Sequence, residues 1–182
     1  RRDAEHDPVF RPLAAVLREA DIATLHVPLT GKGPYPTRRM ANTAFFNMLK
    51  PGAIFINAAR GGIQDSDALL AAMDRGRVAH AILDTWECEP AFRPDVLGRA
   101  AFGTPHIAGY SYEGKVMGTV MVYRELCRFL NVEPDWDYEA LLPPPTAPEI
   151  SMEPPRHGMP AERLLDQAVR RLYNIEQDDA NL

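Results

Sequence analysis

Three polar residues follow apolar runs, at places where the strand ends of an open α/β sheet would present them to a ligand: Arg60, Glu89 and His106. Arg60 closes the run AIFINAA and precedes Gly61-Gly62, so its guanidinium sits beside flexible backbone and offers a planar fork to a carboxylate or phosphate. The plainer alternative is a surface arginine in an ion pair, because charged side chains are mostly solvated. His106 lies in TPHIAGY, a loop in which a lone histidine is more often structural. Glu89, in DTWECEP, changes that weighing. A carboxylate paired with the imidazole orients its tautomer and supports its charged form, as a general acid/base pair requires. Asp84, at the end of VAHAILD, is either a turn former or an acceptor for an amide-bearing ligand. Together these residues make a substrate clamp, an acid/base and an orienting acid. The set suits hydride transfer to a nicotinamide cofactor, since oxidising an alcohol needs a base for the hydroxyl proton and an acceptor for the hydride.

Such chemistry needs the residues held along one sheet edge, and the hydropathy pattern supplies the sheet. Residues 12 to 20 carry Leu13, Val16, Leu17 and Ala20 at helical spacing, and 22 to 29 read as a buried strand ending at Pro28. After a turn-rich segment at 30 to 37, a helical run bears Met40, Phe45, Met48 and Leu49 and is closed by Pro51-Gly52. The strand at 53 to 59 is apolar on both alternating faces, as a parallel strand covered on both sides would be. Asp65 or Ser66 caps the next helix, whose inner face is Leu69, Leu70 and Met73, and VAHAILD is another strand. The distance from Ile54 to Ile82 fits one strand, crossover helix and strand unit, so the alternation predicts a parallel α/β sheet. A weaker strand falls at 101 to 107. A helix at 112 to 130 puts Val116, Val120, Tyr123, Leu126, Cys127 and Leu130 on one side. Residues 133 to 160 are proline-rich, and 161 to 175 resume a helical pattern through Leu164, Leu165, Ala168, Leu172 and Ile175. The division expected is a cofactor domain at 1–111, a connecting helix at 112–132, a linker at 133–160, and the start of a second small domain, cut short, at 161–182.

Composition narrows the function classes. With 182 residues, 46% apolar and 25% charged, the chain fits one ordinary domain or one domain with an appendage, and neither wholesale disorder nor collagen-like order. Twenty Lys and Arg against 25 Asp and Glu give a net charge of −5, and no basic cluster forms, so no nucleic-acid role is expected. The longest apolar runs fall well short of the roughly 20 residues that span a bilayer, and no signal peptide opens the chain. Cys88 and Cys127 are too few for a disulfide framework and lack the spacing of a zinc site. The expectation is a cytoplasmic protein with no membrane partner and no metal.

The motifs HVPLT at 26 to 30, KPGAIFINAARGG at 50 to 62, DTWECEP at 84 to 90 and TPHIAG at 104 to 109 occur in one series. In order and spacing, from about residue 20 to 130, they resemble the D-isomer-specific 2-hydroxyacid dehydrogenases. That resemblance implies the C-terminal part of a Rossmann-like parallel sheet with flanking helices, binding NAD. It implies that Arg60 holds the substrate carboxylate, that His106 takes the hydroxyl proton, and that Glu89 supports the imidazolium. Asp84 would bind the nicotinamide carboxamide, Ala58, Ala59 and Gly109 would approach NAD through backbone, and Val27 would pack against the cofactor. Tyr110 would reach the substrate. Val27 stands where related chains can hold Thr, so a side-chain hydrogen bond available there is lost.

Narrower features, GPYPT at 33 to 37, HIAGYSYEGK at 106 to 115 and the proline-rich exit before VRRLYNIEQDDANL, resemble one branch of the family. That branch oxidises a 2-hydroxy acid phosphate, 4-phospho-D-erythronate, in pyridoxal 5′-phosphate synthesis and forms homodimers through an α+β dimerisation segment. The segment is expected to be truncated here. The glycine-rich turn that seats the pyrophosphate, and the acid that follows it, do not occur. The chain is therefore expected to be a C-terminal fragment that binds NAD weakly by itself. The alternatives are a phosphoglycerate or glyoxylate type of hydroxyacid dehydrogenase, and a non-catalytic NAD-binding module.

Overall fold

The computed structural model describes residues 10–144, 149–152 and 160–182. They form two bodies, one of residues up to His106 together with Asp178–Leu182, the other Ile107–Gln177.

In the first body four parallel strands pair in chain order: β1 (Ile22–Leu25), β2 (Ala53–Asn57), β3 (Val78–Leu83) and β4 (Phe102–Gly103). Helix α1 (Leu13–Glu19) precedes them, and α2 (Thr43–Met48), α3 (Ser66–Asp74) and α4 (Pro94–Leu97) make the crossovers. Parallel crossovers are almost always right-handed, so strands laid down in one direction collect their helices on one face. The burial pattern follows that rule. Ala23, Leu25, Phe55, Ala81 and Leu83 face a core completed by Leu17, Phe45, Phe46, Leu69, Ala72 and Val96. The rings of Phe45, Phe46 and Phe55 meet edge-on with centroids 5.1 to 6.2 Å apart. Burying one such ring stabilises by about 1.5–3 kcal/mol, so this cluster anchors α2 on the sheet.

Local chemistry sets where each element starts. The Asn42 carboxamide accepts from the Ala44 and Phe45 N–H groups and opens α2. Of the two capping candidates for α3, Asp65 does it, accepting from the Ala68 N–H at 3.0 Å. Gly52 takes φ 80° in the turn into β2, a left-handed conformation that favours glycine.

The opposite sheet face corrects the expectation of strands covered on both sides. Ile54, Ile56 and Ile82 are only half-buried and Ile22 is 56% exposed, because the crossover helices all lie on the other face. A register shift between Ala53 and Ile54 places both Val78 and Ala81 on the packed face. The strands are also shorter than their apolar runs. β2 stops at Asn57, whose side chain starts a turn, and β1 stops at Leu25, which pairs with that last residue. The strand expected at 101 to 107 shrinks to Phe102–Gly103.

The second body holds α5 (Tyr112–Leu130), α6 (Ala161–Leu172) and the start of α7 (Ile175–Asn181). Ser111 caps α5 through the Gly114 N–H, and Asn131, at φ 54°, ends it while the Val132 N–H returns to the Cys127 carbonyl. Val120 and Cys127 of its expected stripe are buried, whereas Leu126 and Leu130 are exposed. Tyr123 joins Asp135 and Trp136 beside this helix. The helix expected over 161 to 175 breaks at Tyr173, and the Asn174 side chain accepts from the Glu176 N–H to begin α7. At the end of α7, residues counted with the sheet body return to it: Asp179 accepts from the Gly103 N–H at 2.6 Å and Leu182 packs on the core. Of the proline-rich stretch, 145–148 and 153–159 lie outside the described residues, as do residues 1–9. Among the described residues no helix is long and apolar enough to cross a membrane.

Candidate active site

The carboxyl ends of β1 and β2 open into a cavity of about 420 Å³ lined by His26, Val27, Pro28, Leu29, Ala58, Ala59 and Arg60. Val27, Ala58 and Ala59, expected at the cofactor, therefore share one concavity with Arg60, expected at the substrate carboxylate. The two alanines keep its wall low, so a ligand can reach backbone there. Asn57 builds the turn. Its carboxamide accepts from the Ala59 N–H at 3.1 Å, donates to the Arg60 carbonyl at 3.2 Å and donates to Gln64 Oε1 at 2.9 Å, all while fully buried. The Arg60 guanidinium donates to the Ala59 carbonyl and makes no ion pair among the described residues. The surface ion pair is thus not the arrangement found.

Glu89 and His106, which sequence places 17 residues apart, meet: Glu89 Oε2 lies 2.8 Å from His106 Nδ1. The Trp86 N–H holds the other carboxylate oxygen at 2.6 Å. An ionised carboxylate only accepts, so His106 Nδ1 donates, an arrangement that in the neutral ring leaves the lone pair on Nε2. His106 takes φ 58°, uncommon outside glycine though enriched for histidine. The peptide between Glu89 and Pro90 is cis. Asp84, 6% exposed at the end of β3, accepts from the Thr104 hydroxyl at 2.6 Å.

The loop that carries Glu89 is pinned to α3 as well. Glu87 accepts from the Ser66 N–H and from Arg39, each at 2.9 Å. Burial pushes the Glu87 carboxyl up, but the Ser66 and Arg39 hydrogen bonds outweigh it and leave the group below its usual range. Gly61 supplies room rather than flexibility. A Cβ there would sit 1.8 Å from the Trp86 carbonyl oxygen, so the turn bearing Arg60 and the loop bearing Glu89 touch backbone to backbone.

Gly109, at φ 76°, and Tyr110, 69% exposed, belong to the second body. Lys115 lies 3.8 Å over the Tyr110 ring and, by hydrogen bond and then by charge, holds its phenol below the usual value. No cluster of three or more His, Cys, Asp or Glu suited to a metal occurs among the described residues.

Asn57, Trp86 and Glu87 are the site residues that sequence reasoning missed. Asn57 had a signal, a polar amide ending an apolar strand ahead of a turn. Trp86 and Glu87 had only their position inside DTWECEP.

A family profile described as "D-isomer specific 2-hydroxyacid dehydrogenase, NAD binding domain" matches residues 1–108. The erythronate-4-phosphate dehydrogenase of Edwardsiella ictaluri is 40% identical over 182 residues, all of this chain and 48% of that protein. That of Salinibacter ruber is 43% identical over 173 residues, 95% of this chain and 44% of that protein. The chain therefore spans about half the length of the curated relatives it matches. Among solved structures, the TT0316 protein of Thermus thermophilus matches with TM-score 0.54 and 35% identity, over 69% of this chain and 40% of that one. The NAD-complexed D-isomer-specific 2-hydroxyacid dehydrogenase of Lactobacillus delbrueckii ssp. bulgaricus matches with TM-score 0.55 and 27% identity, over 71% and 44%.

Proposed function

The chain belongs to the D-isomer-specific 2-hydroxyacid dehydrogenases, in their NAD-binding domain, and on that premise we propose that the whole protein oxidises the 2-hydroxyl of 4-phospho-D-erythronate to the 2-oxo acid. The observation that carries the chemistry is the Glu89–His106 contact of 2.8 Å beside a strand-end turn that presents an arginine without an ion pair among the described residues. The observation that favours this substrate is the name shared by relatives about 40% identical over the whole chain.

The cavity walls fit a nucleotide. Val27, Ala58 and Ala59 are slim enough for close approach, and Asp84 stands at the end of the next strand as an acceptor for a carboxamide. NAD, when bound, supplies the hydride acceptor. The rest falls to side chains. Arg60 fixes the substrate carboxylate with its two-pronged fork, which orients the neighbouring hydroxyl. His106 Nε2 accepts the hydroxyl proton as the C2 hydrogen leaves as hydride, and Glu89 stabilises the imidazolium that forms. Gly109 offers backbone to the cofactor and Tyr110 its hydroxyl to the substrate. Residues 161–182 belong to the dimerisation segment of a homodimer. The compartment is the cytoplasm and the pathway is pyridoxal 5′-phosphate synthesis.

The test is the initial rate of NADH formation by the whole protein on 4-phosphoerythronate beside 3-phosphoglycerate and glycolate. A preference for phosphoerythronate of at least about tenfold in kcat/KM supports the assignment. Preference for either other acid moves the protein to another branch. NADH binding without turnover on any acid makes it a binding module.

A further inference from the structure

Trp86 stands where the segments carrying the three reacting side chains cross. Its indole is 3% exposed, edge-on to Phe92 at 5.4 Å. The indole N–H donates to the Thr104 carbonyl at 3.0 Å, and the same carbonyl accepts from the His106 N–H at 3.0 Å, the bond that closes the tight turn centred on Pro105 and leading into His106. The backbone N–H of Trp86 donates to Glu89, and its carbonyl abuts Gly61, the residue after Arg60. The far edge of the ring lies against Gly103, where a Cβ would come within 3.0 Å. Any large apolar ring would fill this space. Only an indole also sends a buried donor to the carbonyl that His106 uses, and a buried carbonyl deprived of one donor tends to move until it finds another.

We propose that Trp86 is a positioning residue for the reaction. Its indole N–H, through Thr104, sets the backbone of His106, while its own peptide groups hold Glu89 and limit how near the Arg60 turn can come. This rests on the roles given above to Arg60, Glu89 and His106. A shift of about 1 Å in a reacting group is enough to cost roughly a hundredfold in rate, so the link is expected to act on turnover more than on binding.

The experiment compares Trp86→Phe with Phe92→Leu in the whole protein. It reads kcat, the KM for NAD, the melting temperature, and the deuterium isotope effect on 4-phosphoerythronate labelled at C2. Trp86→Phe keeps most of the ring and loses the donor, whereas Phe92→Leu loosens the packing and keeps it. Trp86→Phe is expected to lower kcat at least about tenfold, to leave the KM for NAD within about twofold, and to raise the isotope effect as hydride transfer becomes limiting. Phe92→Leu is expected to lower the melting temperature comparably with kcat within about twofold. Should Trp86→Phe fail to fold, benzothienylalanine at position 86, an indole isostere without the N–H, takes its place with the same expectations. A donor-less residue 86 with kcat within twofold of wild type overturns the proposal, as does a Phe92→Leu loss of equal size. Wild type without turnover on any hydroxy acid overturns the functional reading, and this proposal with it.

Discussion

Gly61 and Gly62 adjoin one another after Arg60, yet an alanine at each should have opposite consequences. At Gly61 an added Cβ would lie 1.8 Å from the Trp86 carbonyl oxygen, 2.1 Å from its carbon and 2.7 Å from the Glu87 nitrogen. Reaching even 3.0 Å requires the turn and the loop to part by about 1.2 Å, and both are main chain, so no rotamer change relieves the overlap. At Gly62 the nearest atom is Leu29 Cδ2 at 3.2 Å, the tip of a side chain that can turn aside. Neither glycine has a positive φ, so steric contact alone separates them. Gly61→Ala is expected to destabilise by about 3 kcal/mol or more, at the upper end of overpacking costs, which for a domain this size is a fall in melting temperature of roughly 6–12 °C. Gly62→Ala should stay within about 1 kcal/mol of wild type, with a stiffer unfolded chain offsetting the small crowding. Because the displaced segments carry Arg60 and Glu89, Gly61→Ala should also lower kcat/KM about a hundredfold where Gly62→Ala lowers it no more than about threefold. Thermal unfolding of the two variants, with NADH formation on the hydroxy acid, checks both. Equal effects, or a Gly61→Ala protein within 1 kcal/mol of wild type, would refute the claim that backbone contact at Gly61 sets the spacing.

Arg60→Lys keeps the charge but loses the planar fork, so kcat/KM on the hydroxy acid should fall about a hundredfold; a loss under threefold would mean the charge alone serves. Glu89→Gln can turn its amide toward His106 Nδ1 and move the imidazole proton to Nε2, the wrong tautomer for a base. Its kcat should drop about 10²-fold or more with NAD affinity retained, and steady-state kinetics with a binding titration separates the two. Glu87 is held below its ordinary value of 4.5, so its carboxylate stabilises the fold above that pH, and the contribution is lost as pH falls through the lower folded value. Unfolding midpoints of wild type and Glu87→Gln should therefore converge as pH drops below about 4.5 and differ by a small, constant amount near neutrality. A gap that widens toward acid would reverse the argument.

The order of elements was legible because periodicity and turn residues mark it: all four strands and the helices α1, α2, α3 and α5 fall where the pattern put them, whereas the four-residue α4 is too short to show a period and was not read. Their ends were less so. Apolar character runs two to four residues past the last paired position in the strand before Pro28, in AIFINAA and in the strand expected at 101 to 107, since pairing depends on a neighbour and not on the strand itself. The cover of Ile54 and Ile56 was misread for a similar reason: a two-faced apolar strand states what it tolerates, whereas burial is decided by the layer laid against it. At the site, residue types and the strand-end rule singled out Arg60, Glu89 and His106, and the structure brings the last two together. What stayed hidden is the frame. Gly61 against Trp86, Trp86 with Thr104 and Glu87 with Ser66 join segments about 20 residues apart, and nothing in a linear pattern says which peptide will press on which.

The strand order has a kinetic consequence. Each strand pairs with the next one in the chain, Ile22 with Ile54, Ile54 with His80 and Ile82 with Phe102, so each pairing closes a loop of only roughly 20 to 32 residues. Closure entropy grows with the logarithm of loop length, and across that range it differs by about 0.4 kcal/mol, so no one step stands out as the slow one. These pairings can then form by accretion, strand after strand, with the Asp179–Leu182 segment returning to the sheet afterwards. Pairing of these strands is thereby set by local events, and Glu89 and His106 come into contact last, once the β4 end closes on the β3 loop.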